Sequence, residues 1–159
     1  MVSDQKLSIM LKMLKKKLGA EAIGRIVVVE RYFKIPTSLI IPDGCKRIGN
    51  SAFECCKSLR EVIIPKSVKW IDGNAFSNCK KLEKVIISEG VEEIWHHAFA
   101  GCDKLKKVVI PKSVNFIGTR AFRECYNATI ILRKHKKDFA EIGDYAFIYC
   151  KNVKKEIRD

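Results

Sequence analysis

A chain of 159 residues is long enough for one domain with a real core, and a 47% apolar composition excludes a disordered polymer. The 31 Lys and Arg against 18 Asp and Glu leave a formal charge of +13, an excess that attracts acidic partners: phosphate backbones, anionic lipid or an acidic protein face. No apolar run reaches the roughly 18 residues of a membrane span, and Asp4 and Lys12 interrupt the pattern of a secretory leader, so a reducing cytoplasm is the expected compartment and membrane is not expected as a partner.

Residues 1–35 form a first region. Leu7, Met10, Leu11, Leu14 and Leu18 recur at helical spacing, Ser3 or Asp4 can cap the start, and Gly19 can end the helix. The other face carries Lys6, Lys12, Lys15 and Lys16. A stack of repeats needs its first coil covered, so this segment reads as a capping helix, followed by a strand at Ile26–Val29.

Residues 36–159 form the second region, and self-similarity dominates it. Cys56, Cys79, Cys102 and Cys125 are 23 residues apart, and Cys150 follows 25 later. Phe53, Phe76, Phe99, Phe122 and Phe147 keep the same register, each preceded by Ala. Further ladders are Ile48, Ile71, Ile94, Ile117 and Ile142; Leu59, Leu82 and Leu105; Val62, Val85 and Val108; and Ile64, Ile87 and Ile110. Within one unit, Val62 and Ile64 alternate with period two, predicting a short strand, which Pro65 ends. Ala75-Phe76-x-x-Cys79 has helical spacing and predicts one returning turn of helix. Such a coil buries its apolar edge only when stacked on copies of itself.

The unit Leu59-x-x-Val62-x-Ile64-Pro65-x-x-Val68-x-x-Ile71-x-x-x-Ala75-Phe76-x-x-Cys79 resembles the repeat of the BspA-like leucine-rich-repeat family, over roughly residues 36–152. The resemblance implies a curved solenoid with a parallel sheet on its concave side, in a family commonly described as surface or secreted adhesion and interaction proteins. Together with the ladders it gives an α/β solenoid of about five coils, with a short parallel sheet on the concave face and an N-terminal capping helix.

The last full unit is irregular. Ile130 and Leu132 form its inward pair, Phe139 takes the place of Val68, and the basic stretch Arg133–Asp138 contains about three extra residues that should bulge as a loop.

Reactive chemistry finds little support. The cysteine ladder puts one thiol per coil at one interior position, where it fills space, and Cys45 takes the slot of Val68. Cys55 falls beside the ladder and reads as the exposed thiol, and the adjacent His96 and His97 read as turn residues that cannot aim at one metal. Asn127-Ala128-Thr129 matches a glycosylation acceptor, which counts only in an exported chain. No cofactor, metal or catalytic residue is expected, and the chain reads as non-enzymatic.

Binding has a better basis. If Val62 and Ile64 face inward, an apolar column of Ile40, Ile63, Ile86 and Val109 lies on the concave face beside a charged column of Glu61, Lys84 and Lys107. Arg60 and Lys81 belong to a basic flank, with Lys57, Lys80, Lys104 and Lys106, that stacking would turn into a continuous positive stripe. Trp70, Phe116 and Trp95 are read as aromatics on the turn after the strand. The expected function is a protein-binding adaptor or stoichiometric inhibitor acting on an acidic surface, such as that of a nucleoprotein complex. The alternatives are nucleic-acid binding through the lysine stripe, opposed by the interleaved Glu61, Glu83 and Asp103, and a surface adhesin.

Overall fold

The computed structural model describes residues 37–134 and 141–157. The expected capping helix, the strand at Ile26–Val29, Phe139 and most of the basic insertion lie outside these residues.

Longer strands alternate along the chain with two-residue strands. The longer strands are β1 (Ser38–Ile40), β3 (Glu61–Ile64), β5 (Lys84–Ile87), β7 (Lys107–Ile110), β9 (Thr129–Lys134) and β11 (Asn152–Ile157). The short ones are β2 (Arg47–Ile48), β4 (Trp70–Ile71), β6 (Glu93–Ile94), β8 (Phe116–Ile117) and β10 (Glu141–Ile142). All pairing is parallel, and β2, β4, β6, β8 and β10 form one unbroken five-stranded sheet. The longer strands form two three-stranded runs, β1-β3-β5 and β7-β9-β11. Between them β5 and β7 lie side by side without a ladder, although the Lys106 N–H reaches the Glu83 carbonyl at 3.1 Å.

Alternation in sequence becomes alternation in burial. Val62, Ile64, Val85, Val108, Ile110, Ile130 and Leu132 are buried, as the ladders predict. Ile48, Ile71, Ile94 and Ile117 are fully buried, but Ile142 in the same ladder is 40% exposed. Its strand β10 is the outermost of its sheet, so no described coil covers it on the far side.

The return segment departs from the expected helical turn, and no helix occurs among the described residues. In Ser51–Cys56 the N–H groups alternate in destination. Ser51, Phe53 and Cys55 donate to Gly73, Ala75 and Ser77 of the next coil, while Ala52, Glu54 and Cys56 donate three residues back. Ser51 and Cys55 hold φ of 53° and 59°, and Asn74 and Asn78 repeat this at 56° and 57°. These left-handed residues turn every second N–H toward the neighbouring coil, which a helix would have turned along its own axis. The spacing of three from Phe to Cys is that of linked tight turns.

Inside, the rings of Phe53, Phe76, Phe99 and Phe122 stack face to face, with centroids 5.1, 5.2 and 5.1 Å apart and planes within 9°. Phe147 ends the column at 5.9 Å and 24°. The coils approach so closely beside this core that a Cβ on Gly118 would strike the backbone of Trp95 and His96. The basic insertion is also corrected at its start: Arg133 and Lys134 continue β9 as strand, paired with Glu156 and Ile157 of β11.

Because Phe99 has a ring stacked on each side, Phe99→Ala should cost about 3–5 kcal/mol in denaturant unfolding, whereas Ile86→Ala, on the outward face of β5, should cost less than about 1 kcal/mol.

Candidate functional site

The outward face of the longer strands collects most of the residues expected to bind. Strand register places Glu61 beside Lys84 and Ile40, Ile63 and Ile86 in one row. Val109 follows on β7 and pairs with Ile131 on β9. Ile40 and Ile86 are 56% and 39% exposed, with Ile63 and Val109 half-buried, so aliphatic side chains stand in water on a regular sheet face. Lys81 and Lys107 are exposed.

Trp70 and Phe116 do not join this face. They sit in β4 and β8 of the other sheet, where both are half-buried, rather than on a turn. The Arg47 guanidinium lies 5.0 Å from the centre of the Trp70 ring, and Phe116 meets Trp95 edge to face at 5.8 Å. Trp95, 39% exposed, donates its indole N–H to Glu93 at 2.8 Å. The aromatics therefore form a second patch separate from the aliphatic row.

The positive stripe is not continuous. Its cations alternate with acids one coil away: Arg60 bridges Glu83 at 2.6 Å, Lys106 bridges the same carboxylate at 3.1 Å, Lys84 bridges Glu61 at 2.7 Å, and Lys80 bridges Asp103 at 3.1 Å. Glu83 is held below the ordinary carboxylate range, first by the hydrogen bond from Lys106 and then by its charge, with Arg60 adding to both effects. Asp72 goes the other way: burial raises it, and the charge of its partner Arg47 only partly offsets this.

Toward β11 the pattern changes. Lys104, Lys106, Lys107, Lys151 and Lys154 line an open groove with Asn127, Thr129 and Ile131. Sequence reasoning stopped at Val109 and missed this region. The signal was present: Lys107 pairs with Thr129, 22 residues on, so the strand register slips by one against the 23-residue turn ladder. Carried through, that register takes the outward row from Val109 to Ile131 and Lys154.

The thiols behave as core. Cys79, Cys102 and Cys125 are fully buried, and each S–H donates to the carbonyl of a Phe in the preceding coil, Phe53, Phe76 and Phe99, at 3.0–3.3 Å. Cys150 repeats the bond to Phe122 at 3.2 Å. The thiols of Cys125 and Cys150 are pushed far above the ordinary range, first by the hydrogen bond with the neighbouring thiol (Cys102 and Cys125 respectively), with burial adding to it. Thiols held protonated are poor nucleophiles. Cys45 is buried and Cys55 exposed, and His96 and His97 lie in a turn, His97 at φ 55°. Burial lowers the His97 pKa, and the like charges of His96, Arg120 and Arg123 lower it further. Among the described residues no three His, Cys, Asp or Glu converge as metal ligands, and no helix is long and apolar enough to cross a membrane.

This architecture has known counterparts. The family described as BspA type leucine rich repeat region matches residues 32–154 in six copies. The chain belongs to this family. A leucine rich cell surface protein of Faecalibacterium prausnitzii is 30% identical, with a TM-score of 0.64 over 76% of this chain and 32% of that one. A leucine-rich repeat protein of Bacteroides ovatus is 28% identical, with a TM-score of 0.62 over 75% of this chain and 33% of that one. The T. pallidum leucine rich repeat protein is 27% identical, with a TM-score of 0.53 over 76% of this chain and 71% of that one. The chain thus spans about a third of the length of the first two proteins. Comparison with curated proteins gives no match. A BspA-type leucine-rich repeat is a general protein-interaction scaffold.

Two outcomes are expected. Thiol titration of the native protein should modify Cys55 first, with Cys79, Cys102 and Cys125 reacting only after denaturant is added; Cys55→Ser should remove the fast phase. In carboxyl NMR titrations Lys106→Ala should raise the Glu83 midpoint toward the ordinary value of 4.5. With its folded-state pKa depressed, Glu83 supports folding above the ordinary carboxylate pKa and loses that support as pH falls through the depressed value.

Proposed function

We propose that the chain is a non-enzymatic protein-binding module, an adaptor or stoichiometric inhibitor, that uses the outward face of its longer strands. The observation that carries this reading is the row of aliphatic side chains held in solvent on a parallel sheet, with Ile40 56% and Ile86 39% exposed. Nothing in the core requires them to be Ile or Val, since the inward neighbours already fill the interior. An apolar row rimmed by Glu61, Lys84, Lys107, Arg60 and Lys81 has the composition of a recognition surface, with anchors in the middle and charge at the edge. A net charge of +13 favours a partner with an acidic surface, including a nucleoprotein complex. Trp70 and Phe116 would serve a second contact on the other sheet.

Direct nucleic-acid binding through the lysine stripe is the weaker reading, because Arg60, Lys84, Lys106 and Lys80 are already ion-paired with Glu83, Glu61 and Asp103. Phosphates approaching that flank would meet carboxylates. The seven thiols, six of them packed in or against the core, suit a reducing compartment such as the cytoplasm. A surface adhesin is the alternative favoured by the cell-surface relative from Faecalibacterium prausnitzii.

Affinity capture from a host lysate, with and without nuclease and at two salt concentrations, tests the reading. A stoichiometric protein should survive nuclease and salt. Ile63→Asp or Ile86→Asp should reduce its recovery about tenfold or more, because an unpaired carboxylate would be buried in the interface. Recovery of nucleic acid alone, lost on raising salt, would sink the sheet-face site.

A further inference from the structure

Near the C-terminal end of the stack of longer strands, the outward face sinks into an open groove of about 890 Å³. Four of its lysines, Lys104, Lys107, Lys151 and Lys154, make no ion pair among the described residues, unlike Arg60, Lys80, Lys84 and Lys106 further up the stack. The two carboxylates of the groove are already engaged: Glu83 by Arg60 and Lys106, and Glu156 by Arg133 at 3.4 Å. Four uncompensated ammonium groups therefore share one concavity.

The groove also limits what can fill it. Glu83 belongs to the coil before the four lysines and Glu156 lies on β11, so an already paired carboxylate flanks the four lysines on either side. The four unpaired lysines therefore form a short cluster rather than a continuous track for a long phosphate backbone. From Lys107 to Lys154 there are two steps between strands and two residues along the strand, about 12 Å at the usual spacings, which about four residues of extended chain would cover. Along that path Ile131, 5% exposed, forms an apolar floor, and the Thr129 hydroxyl and Asn127 amide supply neutral hydrogen-bonding groups. Beside it Tyr126 and Tyr149, 54% and 59% exposed with rings 6.3 Å apart, stand three residues before β9 and β11, as Lys104 stands before β7.

We infer that this groove seats a short acidic segment of a partner protein, its carboxylates taken by Lys104, Lys107, Lys151 and Lys154 and an apolar side chain set over Ile131. The inference rests on the outward sheet face being the binding surface, and it extends that surface beyond Val109 to the final two strands. Each ammonium offers up to three N–H donors to a carboxylate, in a site whose own two acids, Glu83 and Glu156, are already paired with other cations.

Fluorescence anisotropy on the full chain tests it with a labelled octapeptide of alternating Glu and Leu, its Gln analogue and an oligothymidylate of equal charge. The Glu peptide should bind, and the Gln analogue should bind about tenfold more weakly or worse. The pair Lys107→Glu with Lys154→Glu should weaken the Glu peptide about tenfold or more, and Lys46→Glu with Lys66→Glu, which changes net charge equally, by less than about twofold. Circular dichroism confirms that each variant folds. Equal losses from both pairs would reduce the effect to net charge and overturn the proposal, as would tighter binding of the oligothymidylate. Ile86→Asp separates the two readings. If no acidic peptide binds while Ile86→Asp abolishes capture, the groove falls and the aliphatic row stands. If the peptide binds through the lysines while Ile86→Asp leaves capture intact, the groove stands and the row falls.

Discussion

Everything in this solenoid depends on one constraint: each coil must hand its outward-going N–H groups to the same positions of the next. The Phe53 N–H bonds to Ala75, Phe76 to Ala98, Phe99 to Ala121 and Phe122 to Ala146, at 2.7–2.8 Å. That spacing brings the aromatic rings to 5.1–5.2 Å along most of the column and sets the thiols against the Phe carbonyls. A side chain of different size in one layer would push two neighbouring layers apart together. The core is therefore repetitive because its hydrogen bonds are repetitive, and variation is confined to side chains that leave the stack.

What those outward side chains do is decided by charge accounting more than by net charge. A stripe of lysine in the early coils is largely matched by acids one coil away, so little of its charge acts at a distance. The last coils lack that matching. Thr129 and Asn152 replace the charged residues of the Glu61, Lys84 and Lys107 column, and the nearby lysines are left uncompensated. Among the described residues, four unpaired lysines are in this way gathered at one end of an outward face whose other end is aliphatic.

The repeat register, the inward ladders, the buried thiols and the exposed aliphatic row were legible in the sequence, because period-two alternation and a fixed 23-residue interval report burial directly. The return turn was not. Phe and Cys three residues apart fit a helix, and only the left-handed φ of Ser51, Cys55, Asn74 and Asn78 shows that alternate amides leave the coil. Asn at 74 and 78 was a readable hint, since Asn tolerates that conformation; Cys55 gave none. Ile142 shows the other limit: a ladder states which face a residue takes, but not whether a further coil lies beyond it. The groove escaped notice because the strands slip by one residue against the turns between Lys107 and Thr129, and a search by constant interval loses the row there.

A core of nearly identical layers carries a liability. Val62, Val85 and Val108, or Phe76 and Phe99, are interchangeable, so a chain that skipped a layer would fill its interior almost as well as the native one. The outward charges are not interchangeable. Arg60, Glu83 and Lys106 occupy successive layers of one column, and Glu83 is bound from both sides. Skipping the middle layer would bring Arg60 against Lys106, cation against cation, on a surface where the correct order brings attraction. Exposed ion pairs add little to the depth of the native state. Here their use is arithmetic: they let an otherwise uniform stack count its own layers.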